Sequence, residues 1–352
     1  MKKIPRPYQQ EAINKLKLRL KETSEALLVN ASVGSGKSLI LSEILLAMEK
    51  AKYPSLCLTM NSTLIEQNAE TYRLQGGNPG IYCAALGKKE QEKTLIFASP
   101  HSVAKKFPDI DCRLIVIDEC HNVNFDDEKS MYMRIIQHYR LQAQLKNYNF
   151  RIIGLTGTPY RGKGVSIVGE NQFFKEEVCS ISTSWLISQN YLVKPRFGVA
   201  SAGEFDFSKL KVNKFGNFNE KELQDIIDKN ERLTGKIMRE VSGIINSGRN
   251  GAFIFASTRK HCEECSRSLP VGQWAIITGE TPHNERKEIL YKAKNGEIKY
   301  LISVNCLNVG VDVPNFDVCV WVRPTESLIL YTQGIGRVLR LHTEKNDAIV
   351  LD

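Results

Sequence analysis

The chain has 352 residues, 42% of them apolar and 25% charged, with nine cysteines and a formal net charge of +9. That length exceeds one comfortable core and predicts about two domains. No run nears the ~18 apolar residues of a membrane span, and the lysines at positions 2 and 3 have no apolar stretch behind them to make a signal peptide. Neither a membrane span nor a signal peptide is therefore expected, and the basic excess favours a polyanionic partner such as nucleic acid. Cysteines inside apolar runs, such as Cys57, Cys306 and Cys319, predict reduced core thiols of a cytoplasmic protein.

In chain order, the first strong signal is an apolar run, Ala26 to Asn30, then Ala31-Ser32-Val33-Gly34-Ser35-Gly36-Lys37-Ser38, then a helical stretch from Leu39. Strand, Gly-rich turn and helix is the context of a phosphate-binding loop. The backbone N–H groups around Gly34, Ser35 and Gly36, with the helix N-terminus, cradle polyphosphate. Lys37 then reaches the β- and γ-phosphates and the Ser38 hydroxyl ligates Mg²⁺. Ala31 stands where the strict pattern has its first glycine.

Further apolar runs predict strands at Ser55–Thr59, Thr94–Ala98, Leu114–Asp118 and Ile152–Thr156, with helices at Leu64–Leu74 and Ser130–Gln144 between them. This rhythm suits a parallel sheet covered on both faces. The third of these strands ends in Asp118-Glu119-Cys120-His121. Asp118 is expected to hold Mg²⁺ opposite Ser38, and Glu119 to orient and deprotonate the attacking water. Thr156-Gly157-Thr158-Pro159 by itself reads as a turn.

The pattern changes around Tyr191–Val199, where Pro195 interrupts, and polar, Phe-bearing sequence follows to Asn219. The expected domains are 1–194 and 195–352. A second set of strands is expected at Ala252–Ala256, Trp274–Ile277, Tyr300–Val304, Val318–Val322 and Ala348–Leu351. Cys262 and Cys265 have zinc-like spacing but no second pair, so they are expected as core thiols. In Gln333-Gly334-Ile335-Gly336-Arg337-Val338-Leu339-Arg340 the two arginines, three residues apart, are expected to share a helix face.

Arg6-Pro7-Tyr8-Gln9, the phosphate loop, Asp118 to His121 and Thr156 to Pro159, in this order and spacing, resemble the superfamily-two DExH-box helicases. The nearest likeness is to RadD-like bacterial DNA repair helicases, which generally carry more sequence after the motor core, including a cysteine-rich region. The resemblance implies an α/β fold of two tandem RecA-like domains, each a mainly parallel sheet flanked by helices, with ATP and Mg²⁺ as cofactors. It implies adenine recognition by Arg6 and Gln9, and nucleic-acid contacts at Asn61, Ser62, Ser99, His101, Ser257 and Asn305. Gly310 and Asp312 would face the nucleotide, and Gln333, Arg337 and Arg340 would reach across a cleft to it. The implied function is an ATP-dependent helicase or translocase on single-stranded or forked DNA, in repair or recombination. The alternatives are an RNA helicase or a nucleic-acid-binding nucleotide switch with little turnover.

Overall fold

A computed structural model describes residues 2–161, 164–212, 218–304 and 311–352. It divides into two compact units, Met1–Ser182 and Thr183–Asp352.

In the first unit the strands are β1 (Leu27–Ala31), β2 (Ser55–Leu58), β3 (Gly80–Cys83), β4 (Lys88–Lys89), β5 (Leu95–Ala98), β6 (Leu114–Asp118) and β7 (Arg151–Thr156). A small hairpin, β8 (Tyr160–Arg161) with β9 (Val165–Ser166), precedes β10 (Glu176–Ile181). The main sheet runs β10-β1-β7-β6-β2-β5-β3-β4, parallel except where β4 pairs with β3. Parallel strands buried on both faces need apolar side chains in both directions, and β2, β5 and β6 are buried at every position. Helices α1 (Pro7–Glu22), α2 (Lys37–Lys50) and α3 (Ser62–Leu74) pack in succession. Helices α4 (Pro100–Lys105) and α5 (Met131–Leu145) pack together, and Val103, Ile135, Ile136 and Tyr139 from them join Leu56, Leu58, Ile115 and Ile117 in one core.

The second unit opens with α6 (Thr183–Ser188) and β11 (Lys194–Gly198), followed by α7 (Glu220–Lys229), α8 (Glu231–Asn246), β12 (Ala252–Ala256) and α9 (Arg259–Arg267). Then come β13 (Trp274–Ile277), α10 (His283–Lys294), β14 (Tyr300–Ser303), β15 (Val318–Val322), α11 (Leu328–Val338) and β16 (Asp347–Leu351). The all-parallel order is β11-β16-β15-β12-β14-β13. The units part between Ser182 and Thr183, ahead of the expected 194/195 junction. The chain from Leu192 onward is already held by the second sheet: β11 pairs with β16 from Lys194, Leu192 bridges Arg340, and Val193 N–H donates to Leu339 O. Pro195 is tolerated because β11 is an edge strand. The Phe-bearing stretch packs as well. Phe205 meets the His261 ring edge-on at 5.7 Å and lies against the second core.

Candidate nucleotide site

The phosphate loop follows β1 directly, and Gly36 caps the N-terminus of α2 in the left-handed region, φ +81°. A Cβ there would sit 2.2 Å from Gln9 Nε2. The start of α1 holds the loop: Tyr8 O–H donates to Ser35 O at 2.9 Å and Gln9 Nε2 donates to the same oxygen at 2.7 Å. Gln9 Oε1 accepts from Arg6 N at 2.8 Å. The Gln9 amide keeps a second N–H and a second lone pair for a ligand edge. The Ser32 and Ser35 hydroxyls are buried and, among the described residues, have no hydrogen-bond partner. Buried polar atoms of this kind call for a partner, and a polyphosphate cradled by the loop supplies acceptors.

Across the sheet, β6 delivers Asp118 at its carboxyl end, and Glu119 follows with φ +50°. Lys37 Nζ contacts Glu119 Oε1 at 2.5 Å. Asp118 is 9% exposed; burial, then the neighbouring Glu119 charge, raise its carboxyl above the ordinary value. Its Oδ1 accepts from Glu119 N at 3.0 Å, and its Oδ2 accepts from Asn68 Nδ2 at 2.9 Å. Asn68 Oδ1 in turn accepts the Ser38 hydroxyl at 2.9 Å. A hydroxyl and a carboxylate brought to one amide are the hard oxygen donors that suit Mg²⁺, so the residues present fit that ion.

His121 links the Asp-Glu strand to β7. Its Nδ1 lies 2.7 Å from Thr156 Oγ1 and 3.4 Å from Glu119 Oε2. Thr156 Oγ1 also accepts from Thr158 N at 3.0 Å, and burial lowers the pKa of the His121 ring. Gly157 lets this turn close on the phosphate loop, since a Cβ would stand 2.9 Å from Ser32 Cα.

In the second unit, Asn305 and Gly310 lie outside the described residues. Arg337 Nη1 donates to Val311 O at 2.7 Å, and Arg340 contacts Asp312, which also faces Lys294 at 3.6 Å. Burial raises the Asp312 carboxyl, but Arg340 and Lys294 overcome this and hold it below the ordinary value. Gln333 sits one turn before Arg337 on α11. The arginines do not share a helix face, because α11 ends at Val338. The Lys345 ammonium takes the Val338 carbonyl at 2.9 Å, and residues 339–340 are drawn into pairing with 192–193. Both side chains nevertheless converge on residues 311–312, Arg337 at the Val311 carbonyl and Arg340 at the Asp312 carboxylate.

The expected nucleic-acid contacts divide. Asn61 caps α3, accepting from Thr63 N at 2.8 Å, with Ser62 half-buried beside it. Ser99 caps α4 through its hydroxyl and is buried, whereas His101 is exposed. Ser257 does not face solvent: it is 4% exposed and its hydroxyl donates to Val322 O at 2.9 Å, tying β12 to β15. Asn68 was absent from the expected site. Its signal was a polar residue inside the apolar Ile65, Ala69, Tyr72 stripe of α3.

A phosphate loop facing an Asp-Glu strand end on one parallel sheet, with a second parallel sheet bearing an arginine pair, defines a class. The model of the type III restriction enzyme res subunit matches residues 2–161, and that of the helicase conserved C-terminal domain matches residues 235–342. The chain is therefore built from two helicase-type RecA-like domains. It is 27% identical over 372 residues to a Schizosaccharomyces pombe protein named mitochondrial ATP-dependent helicase irc3, covering 99% of this chain and 57% of that one. Among solved structures it resembles the fragment of an HsdR subunit of a type I restriction enzyme from Vibrio vulnificus YJ016 (TM-score 0.71, 19% identity, 99% of this chain and 64% of that chain). It also resembles the DUF1998 helicase MrfA bound to DNA (TM-score 0.66, 14% identity, 98% and 48%). The chain spans 51% to 65% of the length of the curated relatives it matches first.

Proposed function

We propose that this chain is the motor core of a DNA helicase or translocase that couples Mg-ATP hydrolysis to movement on DNA, with a RadD-like role in repair or recombination. The observation that carries the chemistry is the cluster at the carboxyl ends of β1 and β6, where Lys37, Glu119, Asp118, Asn68 and Ser38 are joined by contacts of 2.5–3.0 Å. The DNA-bound MrfA neighbour and the net charge of +9 support the choice of nucleic acid. Buried, unpaired thiols such as Cys57, Cys112 and Cys319 suit a cytoplasmic setting. No helix among the described residues is long and apolar enough to cross a membrane.

In the proposed cycle Lys37 exchanges its Glu119 partner for the β- and γ-phosphates. That exchange leaves the Glu119 carboxylate able to orient a water and take its proton. Ser38 and Asp118 would hold Mg²⁺, which when bound neutralises charge on the phosphate oxygens. Arg6 and Gln9 would read the adenine edge. Met1–Ser182 forms the proposed ATP-binding half, and Thr183–Asp352 the half whose Gln333, Arg337, Arg340 and Asp312 sense the nucleotide. Asn61, Ser62, Ser99 and His101 remain the proposed backbone contacts.

Lys37→Ala and Glu119→Gln separate the roles. A fluorescent nucleotide should bind weakly to the first variant. The second should bind it normally but release almost no phosphate, with or without single-stranded DNA, duplex DNA or RNA. Near-normal phosphate release by Glu119→Gln would end the general-base assignment, and stimulation by RNA alone would redirect the substrate.

A further inference from the structure

Asn68 belongs to no phosphate, adenine or carboxylate motif, yet it is 3% exposed and lies between two residues of the nucleotide site. It sits on α3, whereas Ser38 opens α2 and Asp118 ends β6. Its neighbours on the buried face of α3 are Ile65, Ala69 and the ring of Tyr72. A polar side chain on such a face is costly unless both ends of its amide are satisfied. Here they are, at 2.9 Å each: Oδ1 accepts from Ser38 Oγ and Nδ2 donates to Asp118 Oδ2.

We propose that Asn68 is a positioning residue that fixes the orientation of the Ser38 hydroxyl and the Asp118 carboxylate for the Mg²⁺ of a bound nucleotide. The proposal rests on the assignment of Ser38 and Asp118 as the metal-holding pair. A serine hydroxyl is a rotor with one hydrogen and two lone pairs, and only the lone pairs can face a cation. Giving the hydrogen to Asn68 Oδ1 turns the lone pairs elsewhere. Asp118 is fixed from two sides, by Asn68 Nδ2 at one oxygen and the Glu119 backbone N–H at the other.

The site needs one acceptor and one donor on the same short, buried stem, which is what an asparagine provides. Aspartate would set a second carboxylate against Asp118. Leucine, of similar volume, would leave the Ser38 hydrogen and one Asp118 oxygen unsatisfied. A Ser42 hydroxyl that donates to Ser38 O stiffens the same turn of α2 at 2.7 Å without touching either metal-holding group. Side chains that support metal ligands in this way typically change metal affinity 10–100-fold when removed.

The test measures a fluorescent nucleotide binding to the intact chain, once in EDTA and once across a Mg²⁺ titration, for wild type, Asn68→Leu, Asn68→Asp and Asn68→Gln. Ser38→Ala and Asp118→Ala serve as references, and thermal unfolding is followed for all. Asn68→Leu is expected to keep its affinity in EDTA within about twofold and to need roughly 10–100-fold more Mg²⁺ for half-saturation. Asn68→Gln keeps the amide but moves it outward by one methylene, so it should recover only part of the Mg²⁺ response. Asn68→Leu combined with Ser38→Ala should cost little more than the larger single change, because the two share one path.

Equal loss of affinity in EDTA and in Mg²⁺, with a lowered unfolding temperature, would make Asn68 a packing residue and overturn the proposal. A normal Mg²⁺ response in Asn68→Leu, with Ser38→Ala and Asp118→Ala both shifted, would overturn it too. If the two reference variants themselves show no Mg²⁺ shift, the metal-holding pair is wrong and the proposal falls with it.

Discussion

Gly36 is the residue at which backbone conformation and side-chain packing set the same requirement. Its φ of +81° lies where a Cβ is strained, and the space that Cβ would enter holds the Gln9 amide. That amide cannot swing aside freely, since it donates to Ser35 O and accepts from Arg6 N. Gly36→Ala should therefore lower stability by about 1–2 kcal/mol from the left-handed backbone alone. It should also weaken nucleotide binding, because the displaced Gln9 releases the loop. Thermal unfolding and a nucleotide titration check both, and unchanged affinity would show that Gln9 does not set the loop. At this scale the sequence is legible where a residue's role is carried by its neighbours in the chain, as in Gly36-Lys37-Ser38 or Asp118-Glu119. The place of Asn68 and the burial of Ser257 are not legible in this way, because both depend on partners far along the chain: Ser38, Asp118 and Val322.

Elements are legible when they lie deep in a sheet. Strands β2, β6, β12 and β15 are continuous apolar runs because helices or core cover both faces. Strands without such an apolar run carry the marks of an edge or a short link. Strand β10 begins with Glu176 and Glu177, and Glu176 holds Arg19 of α1 at 2.6 Å. Strand β11 contains Lys194, Pro195 and Arg196, and edge strands are where charge and proline are accepted. Helix α9 shows what burial does to a titratable group. His261 is fully buried, its Nδ1 accepting from Ser257 N at 3.3 Å and its Nε2 3.4 Å from Thr234 Oγ1. Burial lowers its pKa to about 4 from 6.5.

Between those two values the unfolded chain binds a proton that the folded one refuses, so stability rises with pH there. The contribution is complete above pH 6.5, falls as the pH drops from 6.5 to about 4, and levels off below that. At pH 5 the loss should be about 2 kcal/mol. All three tryptophans, Trp185, Trp274 and Trp321, belong to the second unit, so their fluorescence reports its unfolding. Urea midpoints at pH 7 and pH 5 should separate less in His261→Gln than in wild type. Equal separation would mean that His261 is not the group responsible.

At the scale of the whole molecule, two domains followed from length and from the repeated strand–helix rhythm. Their junction did not, since nothing local in Thr183–Val193 announces that it belongs with the later sheet. The same division makes the arginine pair testable, because Lys37 and Glu119 belong to the first unit and Arg337 and Arg340 to the second. Here Arg340 is held by Asp312, and Arg337 by the Val311 carbonyl. If Arg340 stabilises the transferring phosphoryl group, its guanidinium must exchange Asp312 for phosphate oxygens during turnover. Arg340→Ala should then lose about 10³-fold or more in phosphate release. Nucleotide affinity should fall only modestly, because the phosphate loop is in the other unit. Arg340→Lys should recover little, since an ammonium keeps the charge but not the planar fork. Asp312→Asn supplies the complementary arm: loosening the resting partner of Arg340 should leave turnover within a few-fold if that contact only parks the guanidinium. A loss as large as that of Arg340→Ala would mean instead that the ion pair builds the site. Phosphate release measured at saturating nucleotide and DNA decides between them, and full activity in Arg340→Ala would reduce the arginine to a structural clasp on residues 311–312.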